Sequence, residues 1–222
     1  MKNLYDLKPT LSFLADLESH NNKVWFDAHR DQYMRAKNNF ETFVDCFIAG
    51  FRPIKDFGNL AAASCTFRIN RDIRFSKDKS PYKTNMGAHI MRGGRKSDLI
   101  GYYIHIAPHN ESFIGGGLHM PSPEQLTKFR QAIDRDASKF EKIVGRKEFV
   151  QAFGKIDGEK LKTAPQGYAR NHPAIEWLKL KQVVAVHRLT DKQILSADFL
   201  PNTIQTFKAL KPFIDYLNSV TA

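Results

Sequence analysis

The hydrophobic positions of the first fifty residues recur at helical spacing. From about Pro9 to Ser19, Leu11, Leu14 and Leu17 share one face, and proline suits a first helical turn. His20-Asn21-Asn22 is a polar break. A longer helix is predicted from about Lys23 to Phe51, where Phe40, Phe43, Val44, Phe47, Ile48 and Phe51 form a buried stripe and Pro53 ends it. The period then changes to two. Cys65, Phe67 and Ile69 alternate with Thr66, Arg68 and Asn70, which predicts a strand over 64–70 with the first three buried and the last three on the opposite side. Residues 86–91, 99–107 and 112–119 also read as strands, and Arg92-Gly93-Gly94-Arg95-Lys96 as an exposed hairpin loop. Short connections between them call for antiparallel pairing.

The final third is mostly helical. Ser122-Pro123-Glu124-Gln125 combines an N-cap serine, a proline at the first position and a glutamine placed for a capping box, with Leu126, Phe129 and Ile133 on the buried face. Ser138 and Glu141 suggest a second capping box, and Gly154 a helix stop. Residues 155–173 are irregular. A short helix around Trp177, a strand over Val183–Leu189 and a last helix carrying Phe207, Leu210, Ile214 and Leu217 complete the pattern. No repeat or linker interrupts residues 1–222, which read as a single domain. The expected class is α+β: a curved antiparallel sheet of four or five strands, with N- and C-terminal helices packed mainly on one face.

Composition adds limits. A mean hydropathy of −0.44 and the lack of any long apolar run exclude a membrane-spanning helix. The first twenty residues mix Lys2, Asp6, Lys8, Asp16 and Glu18 with apolar positions, so no signal-peptide core is seen and a cytoplasmic location is expected. Cys46 and Cys65 lack metal-like spacing and read as reduced core thiols. The net charge is +11, and residues 68–96 alone hold nine basic and two acidic residues, net +7.

Charge this concentrated points to an anion-handling surface. Arg68, Arg71, Arg74, Lys77, Lys79 and Lys83 crowd into residues 68–84 against only Asp72 and Asp78, and Tyr82 offers an aromatic platform. Cations interleaved with aromatics suit nucleobases or sugar phosphates. His105 sits on a neighbouring strand, and Arg170 and His172, in the turn-rich run 165–173, would close over the anion, with Lys179 and Lys181 extending the positive surface. The competing account is an internal network in which Asp72 and Asp78 orient the arginines. Trp25, Phe26, His29 and Tyr33 lie at helical spacing, either as core or as a further wall of the site with Asn21, Asn22 and Arg30. Gly115-Gly116-Gly117 marks a close approach inside a strand, by Trp25 or a ligand, and not a phosphate loop. If chemistry occurs, Asp72 or Asp78 would be the base and His105 or His119 the acid. No metal-ligand spacing and no nucleophile elbow is present, and no cofactor or metal is expected.

These residues resemble a widespread family of bacterial and fungal conserved hypothetical proteins with a domain of unknown function. The most specific stretch runs Arg71-Asp72-Ile73-Arg74-Phe75-Ser76-Lys77-Asp78-Lys79-Ser80-Pro81-Tyr82-Lys83. Supporting matches include Asn21-Asn22, Trp25-Phe26, His29-Arg30, Tyr102-Tyr103, Gly115-Gly116-Gly117 and Pro165-Gln166-Gly167-Tyr168. The resemblance implies a single α+β domain and makes the basic loop a family feature, without supplying an activity. Three classes therefore stand: a binder of a phosphate-bearing small molecule or nucleic acid, which the charge favours; an enzyme acting on a phosphorylated or carboxylated substrate; and a structural or protein-interaction domain.

Overall fold

In the computed structural model, which describes residues 4–221, helices take the two ends of the chain and strands its middle. The N-terminal helices are α1 (Lys8–Ser19), α2 (Lys23–Ala28), α3 (Arg30–Phe51) and the short α4 (Ala62–Cys65). Strands β1 (Met86–Ile90), β2 (Tyr102–Ile106) and β3 (Ser112–Leu118) follow. Then come α5 (Pro123–Arg135), α6 (Ser138–Val144), α7 (Lys147–Phe153), α8 (Ile175–Leu178), β4 (Val183–Leu189), α9 (Asp191–Ile194) and α10 (Phe199–Thr221). The strands form an open antiparallel sheet in the order β1-β2-β3-β4. The class is α+β, as the periodicity implied.

The chain divides into two compact units. The first holds the described residues up to Ser97 together with Tyr103–Ile114 and Arg188–Gln205. Its core is the α3 stripe, with Phe40, Phe43, Phe47 and Phe51 fully buried, backed by Leu14 and Leu17 of α1. Phe43 stacks on Phe199 with centroids 4.7 Å apart. The second unit holds Asp98–Tyr102, Gly115–His187 and the chain from Thr206 on. Here Phe207, Leu210, Ile214 and Leu217 of α10 are buried, and Tyr102 meets Phe207 edge to face at 5.2 Å. The Ser122–Gln125 capping box forms as read.

Three expectations need correction. Residues 64–70 are not a strand: Cys65 closes α4, the Thr66 hydroxyl donates back to the Ala62 carbonyl at 3.0 Å, and only isolated bridges, Thr66 to Ala88 and Asn70 to Tyr82, remain. Cys65 and Ile69 are buried, but so is Thr66, and Phe67 is 39% exposed beneath the Lys83 ammonium. The expected helix over 23–51 breaks at His29, whose ring stacks on Trp25 at 4.0 Å and whose Nδ1 meets the Trp25 carbonyl at 2.8 Å. Ser138 makes no capping box; Ala137 is the N-cap of α6 and has no side-chain cap bond. The 92–96 loop between β1 and β2 is exposed as expected, except for the buried Gly94, and its Arg95 Nη1 donates to Ala63 O at 2.8 Å while Arg92 pairs with Asp56.

At Gly115-Gly116-Gly117 the close approach is real, but β4 backbone makes it. A Cβ on Gly115 would lie 2.2 Å from Ala185 O, and one on Gly117 2.2 Å from Val183 O. Cys46 and Cys65 are free thiols, and burial pushes Cys65 up to about 11. No helix among the described residues is long and apolar enough to cross a membrane.

Candidate functional site

The basic loop is closed at its neck. Asn70 bridges Tyr82, Arg71 N donates to Pro81 O at 2.9 Å, and Lys83 N donates to Ile69 O at 2.8 Å. Asn21, from the turn between α1 and α2, clamps the returning side: its Nδ2 donates to Tyr82 O at 3.0 Å, and its Oδ1 accepts from Tyr82 N at 3.1 Å. Its neighbour Asn22 instead caps α2 by accepting from Trp25 N. The Tyr82 ring is 7% exposed and stacks on Phe26 at 4.0 Å, so it anchors the loop and is no open platform. Asn21→Ala strands both Tyr82 backbone groups. It is expected to cost about 1–3 kcal/mol, read by denaturant unfolding, and to speed amide exchange at Tyr82.

Inside the neck, the arginines and acids pair. Arg71 forms an ion pair with Asp78 and donates to Ser76 Oγ at 3.3 Å. Arg74 binds Asp72 through two bonds of 2.9 and 2.7 Å. The Ser80 hydroxyl and N–H, then Arg71, hold the Asp78 carboxyl well below the usual carboxylate range. Arg74 does the same for Asp72. Both acids therefore stay ionised at neutral pH, each paired with an arginine.

The lysines differ. Lys79 Nζ donates to Ile73 O at 3.0 Å, and Lys83 Nζ to Arg68 O at 3.1 Å. Burial, and secondarily Arg68, lowers the Lys83 pKa. The side chains of Arg68 and Lys77 make no hydrogen bond or ion pair among the described residues. Among the described residues, Arg68, Lys77, Lys79 and Lys83 thus make no ion pair with a carboxylate, although Arg68 lies near enough to Asp72 to help lower its pKa.

Beside the loop lies an open hollow of about 400 Å³, whose lining includes Glu18, Arg71, Asp78, Ser80, Lys83 and Asn85. Behind Asn85 stands His105, its Nδ1 3.4 Å from both Asn85 Nδ2 and Tyr103 Oη, and its ring stacked on Phe113 at 4.4 Å. Burial pushes His105 down to about 4, so at neutral pH it is an uncharged ring and adds nothing to the positive field.

The remaining candidates belong to the second unit. His172 is a bolt in its turn: Nδ1 accepts from Ala174 N at 3.0 Å and Nε2 lies 3.1 Å from Asp134. Arg170 is exposed. His119 Nδ1 lies 3.0 Å from Gln182 Oε1. Lys179 and Lys181 are paired with Glu176 and Glu159 and do not extend a free positive surface. Sequence reading missed the Asn21 clamp and a three-ring stack in which Trp25 lies between His20, at 5.4 Å, and His29. No group of three or more His, Cys, Asp or Glu side chains among the described residues is placed to hold a metal ion.

A family model described as a conserved hypothetical protein (DUF2461) matches residues 9–216. No curated protein and no solved structure matches the chain.

Proposed function

The chain belongs to the conserved hypothetical protein family DUF2461, and we propose that it binds a phosphate-bearing anion through its basic loop. One observation carries this reading: among the described residues Lys77, Lys79 and Lys83 make no ion pair with a carboxylate, and Arg68 only faces the already paired Asp72, although all four sit on a loop whose neck is fixed by backbone bonds and by Asn21. Holding like charges together without counter-charges is unfavourable, and an anionic ligand offsets it. Lysine ammoniums and the exposed Arg68 guanidinium supply the donors.

The Arg–Asp pairs favour a second reading, a purely structural network. Their exposure argues against it. In the Arg74–Asp72 pair the side chains are 76% and 49% exposed, and exposed pairs contribute little to stability. Arg74→Ala is therefore expected to leave the thermal midpoint nearly unchanged.

The test combines Lys77→Ala/Lys79→Ala with thermal melting in inorganic phosphate or pyrophosphate. Wild type should melt higher with the anion, because a ligand that binds only the folded state stabilises it. The double variant should melt at or slightly above wild type without the anion and gain less from adding it. A wild type unmoved by either anion, together with a large loss of stability in Arg74→Ala, would leave the structural network as the better account.

A further inference from the structure

The tip of the basic loop carries Phe75, 95% exposed. Most large phenylalanines of this chain are buried, among them Phe40, Phe43, Phe47, Phe51, Phe57, Phe129 and Phe140. Phe67 is the other strongly exposed one, and the Lys83 ammonium lies 5.7 Å from its ring. Phe75 is not on a loose end. Ser76 N donates to Ile73 O at 3.3 Å, Lys79 Nζ ties to the same Ile73 carbonyl, and Arg71 reaches Ser76 Oγ, so the turn presents the ring outward. The Arg74 guanidinium carbon lies 5.9 Å from its centroid.

We propose that Phe75 is a stacking finger for a base of single-stranded nucleic acid, whose phosphates meet Lys77, Lys79 and the neighbouring cations. This rests on the reading of the loop as a phosphate-binding element and names its ligand class. An apolar ring standing among cations matches what a single strand offers, a π-face on every base beside a phosphate charge. In a duplex the bases are already stacked, and their π-faces are closed to an inserted ring. An anionic bilayer fits less well. Surface insertion needs several apolar side chains to sink together, whereas the loop presents one ring, with Ile73 half-buried and the carboxylates of Asp72 and Asp78 close by.

The experiment titrates the full chain against fluorescein-labelled oligo(dT), oligo(rU) and a mixed-sequence duplex across a salt series, followed by fluorescence anisotropy. Phe75→Ala should weaken binding to both single strands roughly 5- to 150-fold, leave the slope of log affinity against log salt unchanged, and leave duplex binding unchanged. Lys77→Ala/Lys79→Ala should flatten that slope by about 1–2. If Phe75→Ala binds single strands like wild type while the lysine variant is weakened, the stacking claim falls and the anion reading stands. If wild type is stabilised by pyrophosphate yet ignores the oligonucleotides, the ligand class is wrong. If the lysine variant also matches wild type, both readings fall. Sedimentation with phosphatidylserine-containing vesicles that depends on Phe75, with no effect of the variant on oligonucleotides, would reassign the finger to a membrane surface.

Discussion

Gly117→Ala is expected to lower stability by roughly 3–5 kcal/mol, the largest loss we foresee from adding one carbon. Two costs combine. The residue has φ of 137°, a conformation that side-chain-bearing residues adopt only under strain. Its new Cβ would also stand 2.2 Å from Val183 O and 2.7 Å from Val184 Cα. Those are backbone atoms of β4, so no rotamer change relieves the clash, and the strand pair must separate. A loss of this size is a large fraction of the 5–15 kcal/mol typical of a folded domain. Denaturant unfolding monitored by circular dichroism gives the value, with Gly116→Ala as comparison. There the contacts are Gly101 O at 2.5 Å and the Ile214 Cδ1 at 2.9 Å, one of them a side-chain tip that can yield. A Gly117→Ala protein within 1 kcal/mol of wild type would mean that β3 and β4 are less closely apposed than described.

The second large effect is a pH dependence. His105 is held uncharged by burial, with a pKa of about 4 against 6.5 for a free histidine. The unfolded chain takes up this proton first as pH falls, so the native state loses ground between about 6.5 and about 4. The stabilisation is fully present above 6.5 and has gone below the folded value; its span is on the order of 3 kcal/mol. Tyr103 Oη and the Asn85 amide are the polar groups that meet the ring, and neither carries a charge in this range. The depressed carboxylates act in the same direction but lower. Asp72, Asp78, Asp27 and Asp56 contribute above the unfolded carboxylate value and lose that contribution as pH falls through their folded values, below about 4. The His105 contribution therefore falls between 6.5 and 4, and comparison with His105→Gln separates it from the other histidines. Melting temperatures of wild type and His105→Gln at pH 7 and pH 5 should converge at the lower pH. An NMR titration showing His105 protonating near 6.5 would contradict the burial on which this rests.

Much of this was legible in the chain because it depends on neighbours in sequence. The α3 stripe, the Ser122 box and the bounds of β4 follow from local spacing and hydrogen-bond chemistry. The failure at 64–70 is instructive. Alternation marked Cys65 and Ile69 correctly, but the Thr66 hydroxyl took the Ala62 carbonyl and turned the segment into a helix end with two isolated bridges. Side chains that compete for backbone bonds override period-two patterns. No linker composition separates the two compact units, because the chain passes between them inside β2, β3, β4 and α10 as well as after Ser97. At the site, charge density disclosed the basic cluster but not its pairing. Arg71 finds Asp78 seven residues on, Arg74 finds Asp72 two residues back, and nothing local distinguishes them from Lys77. The clamp joins Asn21 to Tyr82 across 61 residues, a separation that leaves no pattern to read.

The closed neck has a consequence for which identities the fold requires. Its bonds run between backbone groups of residues 69–71 and 81–83, with Asn21 as the one contributed side chain. Identities between them, at Ile73, Phe75, Ser76 and Lys77 for example, enter neither those bonds nor the α3 stripe. The fold therefore tolerates exchange at these tip positions, and a requirement for the particular residues found there comes from outside the fold.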